Sequence, residues 1–179
     1  MRPFDIDLTN PYHGSRLFFW NVGYPIVMKN RLYMGFTKNG RLIAGSPVTS
    51  ESVFIQSQTL PDLGDPALIA WNTLPVGTVG LRSPVGGPIA EEPTMVVMND
   101  GRLLASYRTA DGFVAHAESR DEGNLWGQSY YPRYPDGRSL KNPHAFCPII
   151  RLRDGTYLQW YHNVSYTDTQ HRNPVWLSA

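Results

Sequence analysis

What this sequence of 179 residues lacks narrows the possibilities first. It has one cysteine, Cys147, so no internal disulfide can form and the redox compartment stays open. The neighbours of that cysteine, Phe146 and Pro148-Ile149-Ile150, mark a small buried strand residue, not a nucleophile. No run of about 18 apolar residues occurs, so no membrane span is expected. The formal charge is only +1, which removes any global electrostatic case for nucleic acid or an anionic membrane. Residues 1–10 carry Asp5 and Asp7 and no apolar stretch, so they do not read as a secretory signal, and localisation stays unknown. The five histidines lack ligand spacing, so no metal is expected. Gly86-Gly87-Pro88 leads to a strand and not to a helix N-terminus, so no phosphate cradle and no cofactor are expected. Sustained 3.6-residue periodicity with caps is missing as well, and helix should be scarce.

What is present favours short strands and tight turns. Aromatic residues make up 12% of the chain, with 16 Gly and 15 Pro, and these residue types suit pleated surfaces and punctuate them. Residues 93–98, the turn Asn99-Asp100-Gly101 and residues 102–108 read as a hairpin, because Gly takes the positive φ that the turn needs. Residues 148–152, Arg153-Asp154-Gly155 and 156–162 read as a second. Residues 24–28, Lys29-Asn30 and 31–37 are a looser copy. A further strand follows each hairpin, near 52–58, 112–119 and 174–178. Superposing the copies puts Asp100 on Asp154, Tyr107 on Tyr161 and Arg108 on His162. The first copy aligns with Thr37 on Arg108. Strand-rich repeats of this kind suggest propeller blades. The division is blade one at about 18–75, an insertion at about 60–90, blade two at about 91–135 and part of blade three at about 142–179. A propeller closes with about 4–8 blades. The chain is therefore expected to be a piece of a longer protein whose remaining blades are its partners, or else to self-associate through open edges.

The most specific motif is Ser119-Arg120-Asp121-Glu122-Gly123-Asn124-Leu125-Trp126, which matches S-x-D-x-G-x-x-W. Its physical logic is a self-bracing turn: Asp121 accepts backbone N–H groups, Gly123 supplies a left-handed position, Trp126 covers the hairpin and Ser119 ties the incoming strand. With this motif, the stretch from Gly86 to Trp126 (GGPIAEEP, NDGRLLASYRT, HAESRDEG) and residues 142–162 resemble the sialidase superfamily of Asp-box, or BNR-repeat, proteins. The resemblance covers about 150 residues. It implies an all-β fold, a β-propeller of the sialidase type, of which two to three blades are present. It also implies that Ser119, Asp121, Gly123 and Trp126 are structural and lie away from an active site on the central axis. One departure stands out. The strand that begins with an R-I-P motif in sialidases reads Val22-Gly23-Tyr24-Pro25-Ile26, with Gly23 in the place of the substrate-gripping arginine. That points to a related glycan chemistry.

In such a fold the entry ends of the innermost strands, and the ends of the strands beside them, ring the pocket. Glu91 and Glu92 are candidates for acid, base or nucleophile, since glycoside hydrolysis uses paired carboxyl groups. Neighbours on a strand face opposite ways, so at most one is expected in the pocket. The resemblance adds a tyrosine nucleophile, Tyr107 or Tyr161. His162 is a candidate base. Arg108 is a candidate carboxylate clamp, and His144, Asn142, Arg82 and Arg172 are candidate substrate contacts. His116 is expected to pack, and His13 and His171 to lie on the surface. The expected substrate is an acidic or complex glycan, and the expected activity a sialidase-like glycoside hydrolysis. A polysaccharide lyase on uronic-acid glycans and a non-catalytic carbohydrate-binding propeller remain the alternatives.

Overall fold

A computed structural model describes residues 16–40, 49–57, 69–77 and 79–179. Much of the expected 60–90 insertion before residue 69 lies outside them. The described residues form strands, turns and irregular segments with no helix, in three small antiparallel sheets that do not close into a barrel. The first sheet comprises β1 (Arg16–Phe19), β2 (Ile26–Met28), β3 (Arg31–Gly40), β4 (Ser50–Ser57) and β5 (Trp71–Leu74). β1 and β2 pair with the two halves of β3 and together act as one interrupted strand, giving the order β1/β2–β3–β4–β5. The second holds β6 (Ala90–Val97), β7 (Leu103–Thr109) and β8 (Val114–Ser119) in sequence order. The third holds β9 (Ile149–Arg151), β10 (Tyr157–Tyr161) and β11 (Trp176–Ser178). Consecutive meanders with β6 packed on β3, β4 and β9 are compatible with neighbouring propeller blades.

Turn chemistry explains the hairpins. Gly101 (φ +85°) and Gly155 (φ +90°) take the left-handed position in the second and third sheets. In the first sheet Lys29 (φ 49°) and Asn30 (φ 59°) both adopt it, as a two-residue hairpin of the mirror-image type requires. The turn after β8 is braced as its residues suggest. Asp121 accepts from Leu125 N at 2.9 Å, Ser119 Oγ accepts from Gly123 N at 2.9 Å, and Trp126 Nε1 donates to Gly123 O at 2.9 Å. The Trp126 ring then stacks on Phe54 of the first sheet, with centroids 5.0 Å apart.

Alternation along β7 sorts the core. Leu103, Ala105 and Tyr107 pack toward the first sheet with Tyr33, Phe54 and Leu74. Leu104 and Ser106 face the third, where Leu104 meets Ile149 and Ser106 Oγ donates to Cys147 O at 2.7 Å. His116 on β8 pairs with Gln159 Oε1 at 2.9 Å. The Gln159 amide nitrogen donates to carbonyls, so its oxygen accepts and the His116 Nε2 carries the hydrogen. Burial holds that imidazole down to about 4, and His116 packs as expected. Cys147 is buried and burial pushes its thiol up to about 12, so it is inert.

One irregularity matters for everything near the site. β6 pairs Glu91 with Arg108 but Thr94 with Ser106, a bulge at Glu92-Pro93. The bulge pushes Pro93 O against the first sheet, where Gly23 and Gly35 sit. A Cβ on Gly23 would meet that oxygen at 3.0 Å, and one on Gly35 would overlap it outright. A Gly35→Ala variant should therefore lose about 1–3 kcal/mol. Thermal unfolding should shift down by about 2–12 °C. An unchanged midpoint would show that the bulge is not seated there.

Candidate functional site

The bulge decides where the two glutamates point. Glu92 adopts φ +53°, a left-handed backbone unusual for this residue type, and its N–H donates to Thr37 Oγ1 at 2.9 Å. The twist cancels the strand alternation, so both carboxyl groups reach one guanidinium, contrary to the expectation that at most one faces inward. Arg108 Nη2 and Nε donate to Glu91 Oε2 at 2.6 and 3.1 Å, and Nη1 lies 3.2 Å from Glu92 Oε2. All three side chains are nearly excluded from solvent. Arg108 is thus held by the protein's own carboxyl groups and not left open as a clamp for a substrate carboxylate.

The remaining groups close around this triad. His144 Nε2 lies 3.2 Å from Glu91 Oε2. Asn142 is fully buried; its amide donates to Pro143 O and Ala145 O, and its oxygen accepts from His162 N at 3.1 Å. His162 Nδ1 lies 3.3 Å from Pro174 O. A carbonyl only accepts, so Nδ1 carries the hydrogen and Nε2 the lone pair. Arg172 donates to His144 O at 3.0 Å, and its charge acts on both Glu92 and His162. Glu91, Glu92, Arg108, Asn142, His144, His162 and Arg172 therefore share one end of the three sheets: the entry of β6, the approach to β9 and the exits of β7 and β10.

The electrostatics separate the two carboxyl groups. Burial alone would raise Glu91, but hydrogen bonds from His144 and Arg108 and the Arg108 charge outweigh it and hold it at about 2. Burial raises Glu92, and the adjacent Glu91 charge adds to the rise against the opposing pull of Arg108. Glu92 Oε2 is enclosed and has no hydrogen-bond partner among the described residues, although Arg108 Nη1 lies 3.2 Å away. Burial also lowers His162, which keeps it neutral near pH 7. A pair of carboxyl groups pushed in opposite directions is the usual arrangement for dividing acid and base roles.

Several expected residues lie elsewhere. Tyr107 is buried on the other face of β7, where its hydroxyl donates to Arg82 O at 2.9 Å and bonds Ser129 Oγ at 2.5 Å. Tyr161 is buried with Val114, Leu140 and Cys147, and its hydroxyl meets Tyr134 and Ser178. Neither tyrosine is brought to the carboxyl pair. Arg82 is exposed and bound to Glu51, 2.6 Å from its Nε. Ser119, Asp121, Gly123 and Trp126 are occupied by the turn after β8. Cavities of about 380 and 370 Å³ also lie apart from the triad, one beside Trp126, Pro75 and residues 79–84, the other along β2, β6 and β9. Residues not anticipated include Trp20, whose side chain hydrogen-bonds the Glu92 carboxyl, and Ser50, which bonds Glu91. Thr37 carried a signal: it occupies the repeat position of Arg108 and His162, and like Arg108 it contacts Glu92.

No family model matches the chain. Over 138 residues it is 28% identical to a Talaromyces marneffei protein named "Probable beta-galactosidase C", which covers 75% of this chain. The chain spans 12% of the length of that curated relative. A solved structure titled for mannoside phosphorylases of the GH130 family, said to contain glycoside hydrolases that target β-1,2-mannosidic linkages in Candida mannan, superposes with a TM-score of 0.46. Identity is 16%, over 78% of this chain and 43% of that one. Trypanosoma rangeli sialidase superposes with a TM-score of 0.35 and 14% identity, over 86% of this chain and 36% of that one.

The depressed Glu91 fixes an acid limit. Its folded value lies below its unfolded one, so its contribution is present above about pH 4.5 and is lost as pH falls toward 2. At full size this amounts to about 3 kcal/mol. Urea midpoints measured from pH 6 to 2.5 should fall, and Glu91→Gln should be less stable at pH 6 and flatter with pH. Parallel curves for the two proteins would contradict the assignment.

Proposed function

We propose that this chain carries the acid–base centre of a carbohydrate-active hydrolase, a sialidase-like glycoside hydrolase acting on a complex glycan, built on neighbouring blades of a β-propeller. The observation that supports this most is the carboxyl pair on Arg108, with Glu91 held ionised and Glu92 held toward its neutral form. Similarity to a protein named as a β-galactosidase is in keeping with it. In this reading Glu92 donates its proton to the glycosidic oxygen as the bond to the anomeric carbon breaks. A water adds to that carbon, and its proton passes to the neutral His162 Nε2. Glu91 does not react. It orients Arg108, and its charge keeps the Glu92 proton in place.

The same features set aside a sialic acid clamp of the usual kind. Gly23, in the place of the substrate-gripping arginine of sialidases, is closely packed: a Cβ there would meet Pro93 O at 3.0 Å and Thr94 Cγ2 at 3.1 Å. Arg108 is already shared by two glutamates.

The test is turnover of a panel of nitrophenyl glycosides and unactivated oligosaccharides by the full-length protein. Glu92→Gln should cut kcat/KM on unactivated substrates by about 10²–10⁴ and on nitrophenyl substrates much less, because a good leaving group needs no proton. Activity should fall as pH rises through the elevated Glu92 value. Glu91→Gln should move that alkaline limb to lower pH, since it removes the neighbouring negative charge and frees Arg108. Glycan binding without turnover of any panel member would favour a binding propeller, and unsaturated products absorbing in the ultraviolet would favour a lyase.

A further inference from the structure

The segment joining β10 to β11 carries a second polar group set that the acid–base pair does not use. His171 Nδ1 lies 2.8 Å from each carboxylate oxygen of Asp168. The carboxylate accepts, so Nδ1 carries a hydrogen; in the uncharged tautomer this leaves the lone pair on Nε2, which makes no hydrogen bond among the described residues. Tyr166 stacks on the imidazole at 3.8 Å and 24°, fixing its plane. The same Asp168 oxygen caps the N–H groups of Gln170 and His171.

The location of this unit is set by its flanks. Asp168 O accepts from His144 N at 3.0 Å, and Arg172 Nη2 donates to His144 O at 3.0 Å. Both backbone groups of His144 are therefore gripped by residues on either side of His171. His144 itself touches Glu91, and Arg172 acts on Glu92. Further along, Pro174 O meets His162. The segment is tied to the site at each end, and His171 stands between those ties.

Stability gives a poor reason for such an arrangement. The His171 side chain is 47% exposed and Asp168 45%, and an exposed pair of this sort contributes little. What it does achieve is orientation: Asp168 and Tyr166 fix the ring and engage Nδ1, which leaves Nε2 without a hydrogen-bond partner among the described residues. We infer that His171, oriented by Asp168 and Tyr166, accepts a hydrogen bond from a ring hydroxyl of the sugar bound at the Glu92 site. The inference rests on the hydrolase reading above. It makes His171 a substrate-positioning residue, and the chemistry it selects is a neutral sugar hydroxyl.

The test uses the full-length protein and the nitrophenyl glycoside it turns over fastest. His171→Ala should raise KM about tenfold, the loss of one well-made hydrogen bond, with kcat changed less than about twofold. His171→Gln, whose amide oxygen accepts, should recover part of that loss. Asp168→Asn, which keeps the cap but loses the charge, should raise KM only about threefold. Thermal midpoints should match the parent in all three. An unchanged KM in His171→Ala while Glu92→Gln still removes turnover of unactivated substrate would overturn this inference alone. A fall in kcat at constant KM would overturn it too. If the Glu92 variant also behaves as the parent, or if no glycoside in the panel is turned over, the hydrolase reading fails and this inference falls with it.

Discussion

Two positions without side chains, Gly23 and Gly35, leave space for the carbonyl of Pro93, and the geometry of the site follows from that space. A regular β6 would alternate Glu91 and Glu92 to opposite faces. The bulge instead gives Glu92 a left-handed backbone, ties its N–H to Thr37 and swings its carboxyl group to the guanidinium that Glu91 already holds. Strain of this sort costs about 1–3 kcal/mol and persists only where surrounding contacts impose it. Here the first sheet imposes it through two glycines and one threonine.

Sharing one cation between two enclosed carboxyl groups has an electrostatic consequence. Arg108 can satisfy one of them with directed hydrogen bonds, and it satisfies Glu91, with His144 and Ser50 assisting. Glu92 receives the charge at a distance but not the hydrogen. Burial then dominates for Glu92 and hydrogen bonding for Glu91, so adjacent residues of the same type diverge in proton affinity. A neutral His162 and the Arg172 guanidinium, whose charge acts on Glu92, stand beside this pair.

Much of this arrangement was legible in the sequence because it depends on local signals. Asp100-Gly101 and Asp154-Gly155 announce turns through the conformational freedom of glycine, and the repeat they define superposes Thr37, Arg108 and His162, of which Thr37 and Arg108 both contact Glu92. The placement of Tyr107 could have been read too. It neighbours Arg108 on a strand, so if Arg108 faces the site, Tyr107 must face the core. The rest is non-local. Nothing near Glu92 in the sequence reveals a bulge whose room is made by glycines more than fifty residues earlier. Trp20 comes to Glu92 from the end of β1, and the Asp168–His171 unit gains its meaning only from the grip of its flanks on His144. The two carboxyl partners of Arg108 were hidden for a similar reason, because Glu92 reaches it only through the bulge.

The central claim is that two neighbouring glutamates sharing one guanidinium are shifted in opposite directions, Glu91 below and Glu92 above the ordinary glutamate value. Carbon-13 labelling of the glutamate carboxyls, with resonances assigned through Glu91→Gln and Glu92→Gln, measures both titrations in the intact protein. The account predicts one midpoint near 2 for Glu91 and another above the ordinary glutamate value for Glu92. Two midpoints together near 4.5, or the opposite order, would contradict it.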